Sequence, residues 1–326
     1  MKNKNKSNKK TVLVTGAGGF IGHHLARFLK KKGYYVKGVD LDMPKFSGME
    51  DFDEFYIRDL RNPEYCLEVT TGIDWVYNLA ALNGSIEFTT DNKAELSHNN
   101  AMINLNMAEA CWKNGVKRAF YASSACVYPM RHQETDEVHA LNEDDVAPAD
   151  PDTEYGWEKL FSEHIWMSYE ADRGLEVRIA RFINIYGPEC LIDTLKSKAP
   201  MALTRKAIEA EEGGDIHIWG DGDQSRTFCY IDDCVRGIQT LMESDVNIPI
   251  NIGSDELFSI NELVDIITEI EGVTLKKIHQ LDKVQGVRTR QADLTRAKKL
   301  LGWDNKMDIK EGLTIVNKFT HEQLDK

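Results

Sequence analysis

The sequence predicts an α/β protein built on a doubly wound parallel sheet, with a smaller, discontinuous α/β domain attached. Three observations carry the prediction. Short β-branched apolar runs alternate with helical patterns through residue 186, the pattern of a parallel sheet covered by helices on both faces. The first run ends in a glycine-rich turn that opens straight into a helix. Beyond Gly187 the alternation breaks down, as expected where a second unit begins.

The elements follow in order. TVLVTG reads as a buried parallel strand. In the helix after it, Ile21, Leu25 and Leu29 recur at helical spacing and Gly33 supplies the stop. YYVKGVD is a strand closing on Asp40, FYIRDL a third ending near Asp59, and DWVYNLAA a fourth. A helix spans about 98–114. KRAFYASSACVY reads as a fifth strand, the segment from Thr153 to Gly174 as a helix, and LEVRIARFINIYG as another strand. An acidic, proline-containing loop joins Pro129 to Glu154 and faces the substrate in this reading. Later come a helix near 199–212, the short strand DIHIWG, strand-like TFCYI and a helix at 232–243. The expected organisation is a basic disordered tail (1–10), a nucleotide-binding domain (11–186, with 227–252 returning to it) and a substrate domain made of 187–226 and 253–326.

Composition excludes several classes. The 326 residues carry a net charge of −13, and the first ten hold five lysines and no acid, so the rest of the chain is more acidic still. Phosphate-backbone binding needs a basic stripe, so no nucleic-acid partner is expected. No apolar run reaches the roughly 18 residues of a membrane span, and the charged start does not read as a signal peptide. The expected location is the cytoplasm. Six cysteines lie scattered without a CxxC pair, which argues against a disulfide framework or a metal site.

Gly16, Gly19 and Gly22 in GAGGFIG sit between strand and helix. A tight turn, close approach to a pyrophosphate and close helix packing each require a missing Cβ, and the helix N-terminus, with Phe20 and Ile21, faces the anion. This is the Rossmann pattern in its confirming context. Asp40, at the end of the second strand, suits a ribose 2′-hydroxyl and repels a 2′-phosphate, so NAD is the expected cofactor. Asp59 and Leu60 are candidates for the adenine side, and Leu79, Ala80 and Ala81 for the pyrophosphate.

Tyr155 and Lys159 stand at i and i+4 on one helix face. An ammonium beside a phenol stabilises phenolate and makes it usable as a base. With Ser124 some thirty residues earlier, these motifs resemble the extended short-chain dehydrogenase/reductases acting on nucleotide sugars. That resemblance implies that Ser124 binds the sugar 4-hydroxyl, that Tyr155 takes its proton, and that C4 is oxidised by NAD. The residue before Val127-Tyr128 is Cys126, where simple 4-epimerases commonly have threonine and 4,6-dehydratases glutamate. Cysteine there, with SSACVYP, YGWEK, NIYGP, WGDG, Gln224-Ser-Arg-Thr, INIGSDE and GVRTR, is similar to the GDP-mannose 3,5-epimerase family over nearly the whole chain.

The family resemblance implies an isomerase. A 4-ketone acidifies the C3 and C5 protons, Cys126 removes one, and a lysine on the opposite face delivers another. The family's lysine segment aligns with Ser197-Lys198-Ala199-Pro200, giving Lys198 as the acid, with Lys196 the alternative in register. Arg288 is expected to grip the diphosphate, with Asn184 and Arg226 beside diphosphate or sugar. Gly84, Ala125 and Ala199 border the substrate, and Trp219 reads as packing. Two departures stand out: Ser197 replaces the family's glutamate, and LNGSIEF (82–88) keeps only Gly84 of a glycine-rich segment. They leave open a different GDP-sugar, a deoxysugar or a heptose, or inversion at only one of C3 and C5. A 4-epimerase or decarboxylase is the runner-up, which Cys126 disfavours because neither reaction needs a C5 base. A non-catalytic nucleotide sensor is the remote reading, against which Ser124, Tyr155 and Lys159 argue. The resemblance also implies a homodimer, formed through the helices near 98–114 and 154–173.

Overall fold

A computed structural model describes residues 9–84, 86–192, 197–283 and 285–325. The expected tail at residues 1–8 and the alternative Lys196 lie outside them.

Seven parallel strands form the main sheet: β1 (Thr11–Thr15), β2 (Tyr35–Asp40), β3 (Glu54–Ile57), β4 (Trp75–Asn78), β5 (Arg118–Ser124), β6 (Glu176–Phe182) and β7 (Ile250–Ile252). Their order is β7-β6-β5-β4-β1-β2-β3, with every pairing parallel. The chain reverses direction across the sheet between β1 and β4, and ligands of such sheets bind outside the carboxyl ends of the strands at that point. The strands are apolar through most of their length because helices cover both faces.

The helices of eight residues or more are α1 (Phe20–Lys31), α2 (Pro63–Thr70), α3 (Lys93–Lys113), α4 (Glu154–Arg173), α5 (Ala199–Glu209), α6 (Ile231–Glu243), α7 (Ile260–Glu271) and α8 (Ile309–Leu324). Local chemistry sets their ends. Thr153 caps α4, its hydroxyl accepting from Gly156 N at 3.2 Å, and Gly174 ends that helix in the left-handed region at φ 72°. Ser259 and Glu262 form a capping box on α7.

A four-stranded sheet, ordered Leu257–Ser259, Ser225–Thr227, Thr289–Ala292 and Ala140–Leu141, lies in the second unit. Its edge strand Ala140–Leu141 comes from the acidic loop, so that loop is woven into the small sheet rather than simply solvated. Two further parallel pairs are Ile185–Tyr186 with Cys229–Tyr230 and Asp215–Trp219 with Lys276–Gln280. Helices α5, α7 and α8 pack on one another. No helix among the described residues is long and apolar enough to cross a membrane.

Two sequence expectations change in detail. The long helix α3 starts at Lys93, five residues earlier than its apolar periodicity suggests. The fifth strand stops at Ser124, because the Ser124 hydroxyl accepts the Cys126 N–H at 3.2 Å and turns the chain into a 3-10 helix over Ala125–Val127. Cys126 therefore sits on a turn beyond the strand, aimed away from the sheet's core.

Candidate active site

A cleft of about 1060 Å³ runs along the carboxyl ends of the strands between the two units. At its cofactor end the glycine turn is sterically committed. Gly16 has φ +65°, and a Cβ on it would lie 3.0 Å from the Ala80 backbone. A Cβ on Gly22 would lie 2.0 Å from Gly16 O. The loop is held by Asp40, whose carboxylate accepts from Gly18 N at 2.8 Å and Leu41 N at 2.7 Å. Burial raises its pKa, and these backbone bonds oppose the rise. Thr15 joins the loop to β4, its hydroxyl accepting from Leu79 N and Ala80 N at 3.0 Å and donating to Asn78 at 2.9 Å. A glycine cradle closed to any Cβ, with a carboxylate at the end of β2, fits a dinucleotide with a free ribose diol. Phe20, Ile21, Asp59, Leu60 and Ala81 line the same end. Asp59 is clamped by Arg61, which holds its carboxyl below the ordinary range.

Ser124, Ala125, Cys126, Tyr155 and Lys159 line the middle of the cleft. Lys159 is buried, donates to Ala122 O at 2.9 Å and stands 5.6 Å from the Tyr155 ring centroid. Burial lowers its pKa, against the opposing pull of Glu158 and Glu163. Burial pushes the Tyr155 phenol well above its ordinary value, and the Ser124 hydroxyl works the other way. Helix α4 meets the cysteine turn closely: a Cβ on Gly156 would lie 2.1 Å from Cys126 O. Behind the site Arg181 pairs with Glu163 at 2.7 Å, and Ser123 donates to the same carboxylate at 2.5 Å. This buried, mutually satisfied network fixes β5, β6 and α4 against one another.

Lys198, Ala199, Gly84, Asn184 and Arg226 also line the cleft. Lys198 precedes α5, is open to the cleft, and donates to Gly84 O at 3.2 Å. Protein walls around it lower its pKa, and Arg290 adds to the lowering while Cys126 opposes it. Asn184 holds a left-handed conformation (φ 45°) and donates to Thr227 O at 2.8 Å. Arg226 donates to Ser225 O at 2.7 Å and also to Val287 O. Burial depresses its guanidinium to about 9.

Arg288 is the exception. Its guanidinium holds Asp221 through Nη1 at 2.7 and 2.9 Å and pairs with Asp136, and it does not line the cleft. Two residues on, Arg290 does. Its Nη1 points at Cys126 Sγ from 3.5 Å, its Nε donates to Gln133 at 2.5 Å, and its Nη2 lies 3.4 Å from Asp152. The sequence reading missed Arg290, Gln133 and Asp152. GVRTR contains both arginines, and partners brought in by folding distinguish them: Arg288 holds Asp221 and Asp136, whereas Arg290, in the strand beside Arg226, holds Gln133 and Asp152.

The arrangement places a phenol, a hydroxyl, a thiol and the cationic groups of Lys159, Lys198, Arg226 and Arg290 around one cavity that continues into a dinucleotide cradle. It suits proton movement at a hydroxyl and at carbons beside it.

The chain is similar to known proteins along nearly its whole length. The family model for the NAD dependent epimerase/dehydratase family matches residues 12–253. GDP-mannose 3,5-epimerase of Arabidopsis thaliana is 44% identical over 317 residues, covering 97% of this chain and 83% of that protein. GDP-mannose 3,5-epimerase 1 of Oryza sativa subsp. japonica is 44% identical over 321 residues, covering 98% and 84%. Among solved structures, the UDP-glucose 4-epimerase of Thermotoga maritima with UDP-glucose superposes with TM-score 0.86 at 27% identity, covering 96% of this chain and 99% of that one. The UDP-glucuronic acid 4-epimerase of Bacillus cereus, in complex with UDP-glucuronic acid and NAD, gives 0.80 at 28%, with coverage of 96% and 99%. The cleft is thus that of an NAD-dependent isomerase of nucleotide sugars, and the chain belongs to the NAD dependent epimerase/dehydratase family, on its GDP-mannose 3,5-epimerase branch.

Proposed function

We propose that this chain inverts C3 and C5 of a GDP-hexose, GDP-mannose first, through a 4-keto intermediate. The observation that carries the reading is Cys126, on its own turn, facing the same cleft as Tyr155 and Lys198. NAD, when bound, supplies reversible oxidation at sugar C4. Tyr155 takes the 4-hydroxyl proton while the Ser124 hydroxyl holds that oxygen. The resulting ketone acidifies the protons on C3 and C5. The Cys126 sulfur, as thiolate, takes one of them, and the Lys198 ammonium donates a proton to the opposite face. After each inversion solvent carries the proton from the Cys126 thiol back to the Lys198 amine, and Tyr155 returns its proton as C4 is reduced, so redox and protons balance over the cycle. Lys159 supports the phenolate and Arg290 steadies the sulfur. Arg226 and Asn184 serve the sugar-nucleotide side.

The reading extends to a cytoplasmic homodimer. All six cysteines are free thiols. Leu105 and Trp112 on α3, and Trp157 and Phe161 on α4, are exposed apolar side chains, suited to a two-fold helix-to-helix contact. The test is proton NMR of GDP-mannose with the enzyme in D₂O. Deuterium at C3 and C5 with new sugar signals supports the reading. Deuterium at one carbon narrows it to a single centre, and no exchange with this substrate refutes it.

A further inference from the structure

Glu189 is held in a backbone conformation that side chains rarely adopt. Its φ is +58°, in the left-handed region where a Cβ is strained. Three residues on one face of the cofactor helix α1 grip it and its neighbour. Arg27 Nη1 donates to both carboxylate oxygens, at 2.9 and 3.2 Å. His23 Nε2 lies 3.1 Å from the same carboxylate while its Nδ1 faces Gly19 O at 2.8 Å. Because a carbonyl only accepts, Nδ1 carries a proton, and burial lowers the ring's pKa to about 4, so the charge that grips Glu189 is the Arg27 guanidinium. His24 Nε2 reaches Pro188 O at 3.2 Å. The two imidazoles and the carboxylate put ligand atoms within 4.8 Å, but Arg27 covers both carboxylate oxygens, so the cluster works as an ion-pair clamp rather than a cation site.

The clamp stands at the root of the segment that presents Lys198. Ser197 Oγ donates to Leu191 O at 2.6 Å, and Arg205 Nη1 of α5 donates to Ile192 O at 3.1 Å. Leu191 and Ile192 follow Glu189 by two and three residues, and Ser197 precedes Lys198. The start of the segment is therefore tied to the residue beside Lys198 and to α5.

We infer that Glu189 is a positioning residue: clamped by Arg27 and His23 of the cofactor helix, it fixes residues 189–192, to which Ser197 and Arg205 are bonded, so that Lys198 faces the substrate opposite Cys126. The role of Lys198 rests on the function proposed above, whereas the clamp itself does not. Backbone strain at Glu189 is offset by the ion pair, which makes glycine the informative replacement. Glu189→Gly suits the left-handed backbone but removes the whole side chain and frees the chain there, so it is read beside Glu189→Gln. Glu189→Gln keeps the shape and removes the charge.

The experiment has two readouts on the full chain, both variants and Arg27→Met. Amide hydrogen exchange of residues 197–209, read by mass spectrometry, is expected to speed up about tenfold in all three, with the melting temperature of Glu189→Gly held at the parent value. With GDP-mannose in D₂O, exchange at C3 or C5 is expected to persist while inverted product per exchange event falls at least tenfold, and copurified NAD stays constant. Unchanged amide exchange in Glu189→Gly overturns the clamp. Faster amide exchange with unaltered inversion overturns the positioning of Lys198. Loss of bound NAD instead assigns Glu189 to cofactor binding and also overturns it. If the parent does not act on GDP-mannose while Glu189→Gly still loosens 197–209, the substrate reading fails and the clamp stands.

Discussion

Arg290→Met is the sharpest perturbation of the chemistry, because it removes the one guanidinium aimed at Cys126 and keeps an unbranched apolar stem. The contact is 3.5 Å from Nη1 to Sγ, and Arg290 is itself held by Gln133 and Asp152 in a buried pocket. A hydrogen bond to a charged group contributes about 1.5–3 kcal/mol, and each 1.36 kcal/mol is about tenfold in rate. If Arg290 stabilises the sulfur as it takes a proton from carbon, its removal slows deuterium entry at C3 and C5 by roughly 10- to 150-fold. Arg290→Lys keeps the charge, loses the planar fork and falls between. The assay is wash-in of solvent deuterium by NMR, with bound NAD and melting temperature recorded beside it. Asp152 loses a partner in Arg290→Met, so a fold defect must show in those two controls. Wash-in at the parent rate with intact NAD binding would refute the argument, reducing Arg290 to a strut between the small sheet and the acidic loop.

The other expectations are briefer. Cys126→Ala abolishes C3 and C5 exchange and spares NAD binding; persistent exchange removes the thiol from the mechanism. Tyr155→Phe stops C4 oxidation, seen as the loss of any transient absorbance near 340 nm on adding GDP-mannose, and undiminished turnover contradicts its role. Inversion should show an alkaline limb below pH 10.5, because the protein walls around Lys198, and Arg290, lower its pKa: the ammonium is present below the lowered value and lost as pH rises through it. Lys198→Arg should slow inversion and remove the limb, and an unchanged limb assigns it to another group. Gly156→Ala forces a Cβ to within 2.1 Å of Cys126 O, a strain of about 1–3 kcal/mol that separates α4 from the cysteine turn. Turnover should drop at least tenfold, and parent-level turnover would show that the two need not meet so closely.

These tests divide along the line between what the chain states locally and what only folding assembles. The glycine turn, Asp40 and the Tyr155–Lys159 pair are legible in sequence because their constraints act within a few residues: a positive φ, a strand end, an i,i+4 helix face. Even there, Lys159 owes its orientation to the carbonyl of Ala122 on strand β5. Cys126 reads as a strand residue by composition, and one serine hydroxyl accepting a backbone N–H two residues on is enough to end the strand early. The arginines in GVRTR mark the limit. Arg288 and Arg290 have the same chemistry and stand two residues apart, so the guanidinium that serves the cleft is chosen by distant partners. Asp221 and Asp136 hold one away from it, and Gln133 and Asp152 turn the other onto Cys126. The same holds for Glu189, whose meaning lies in Arg27 and His23 more than 160 residues earlier. A substrate end assembled in this way can change its sugar through segments such as 82–88 and 189–198 while the cofactor end, written in one short turn, stays as it is. Differences among related enzymes in which carbon is inverted are therefore to be sought in the pairings of these segments rather than in the Tyr155–Lys159 helix.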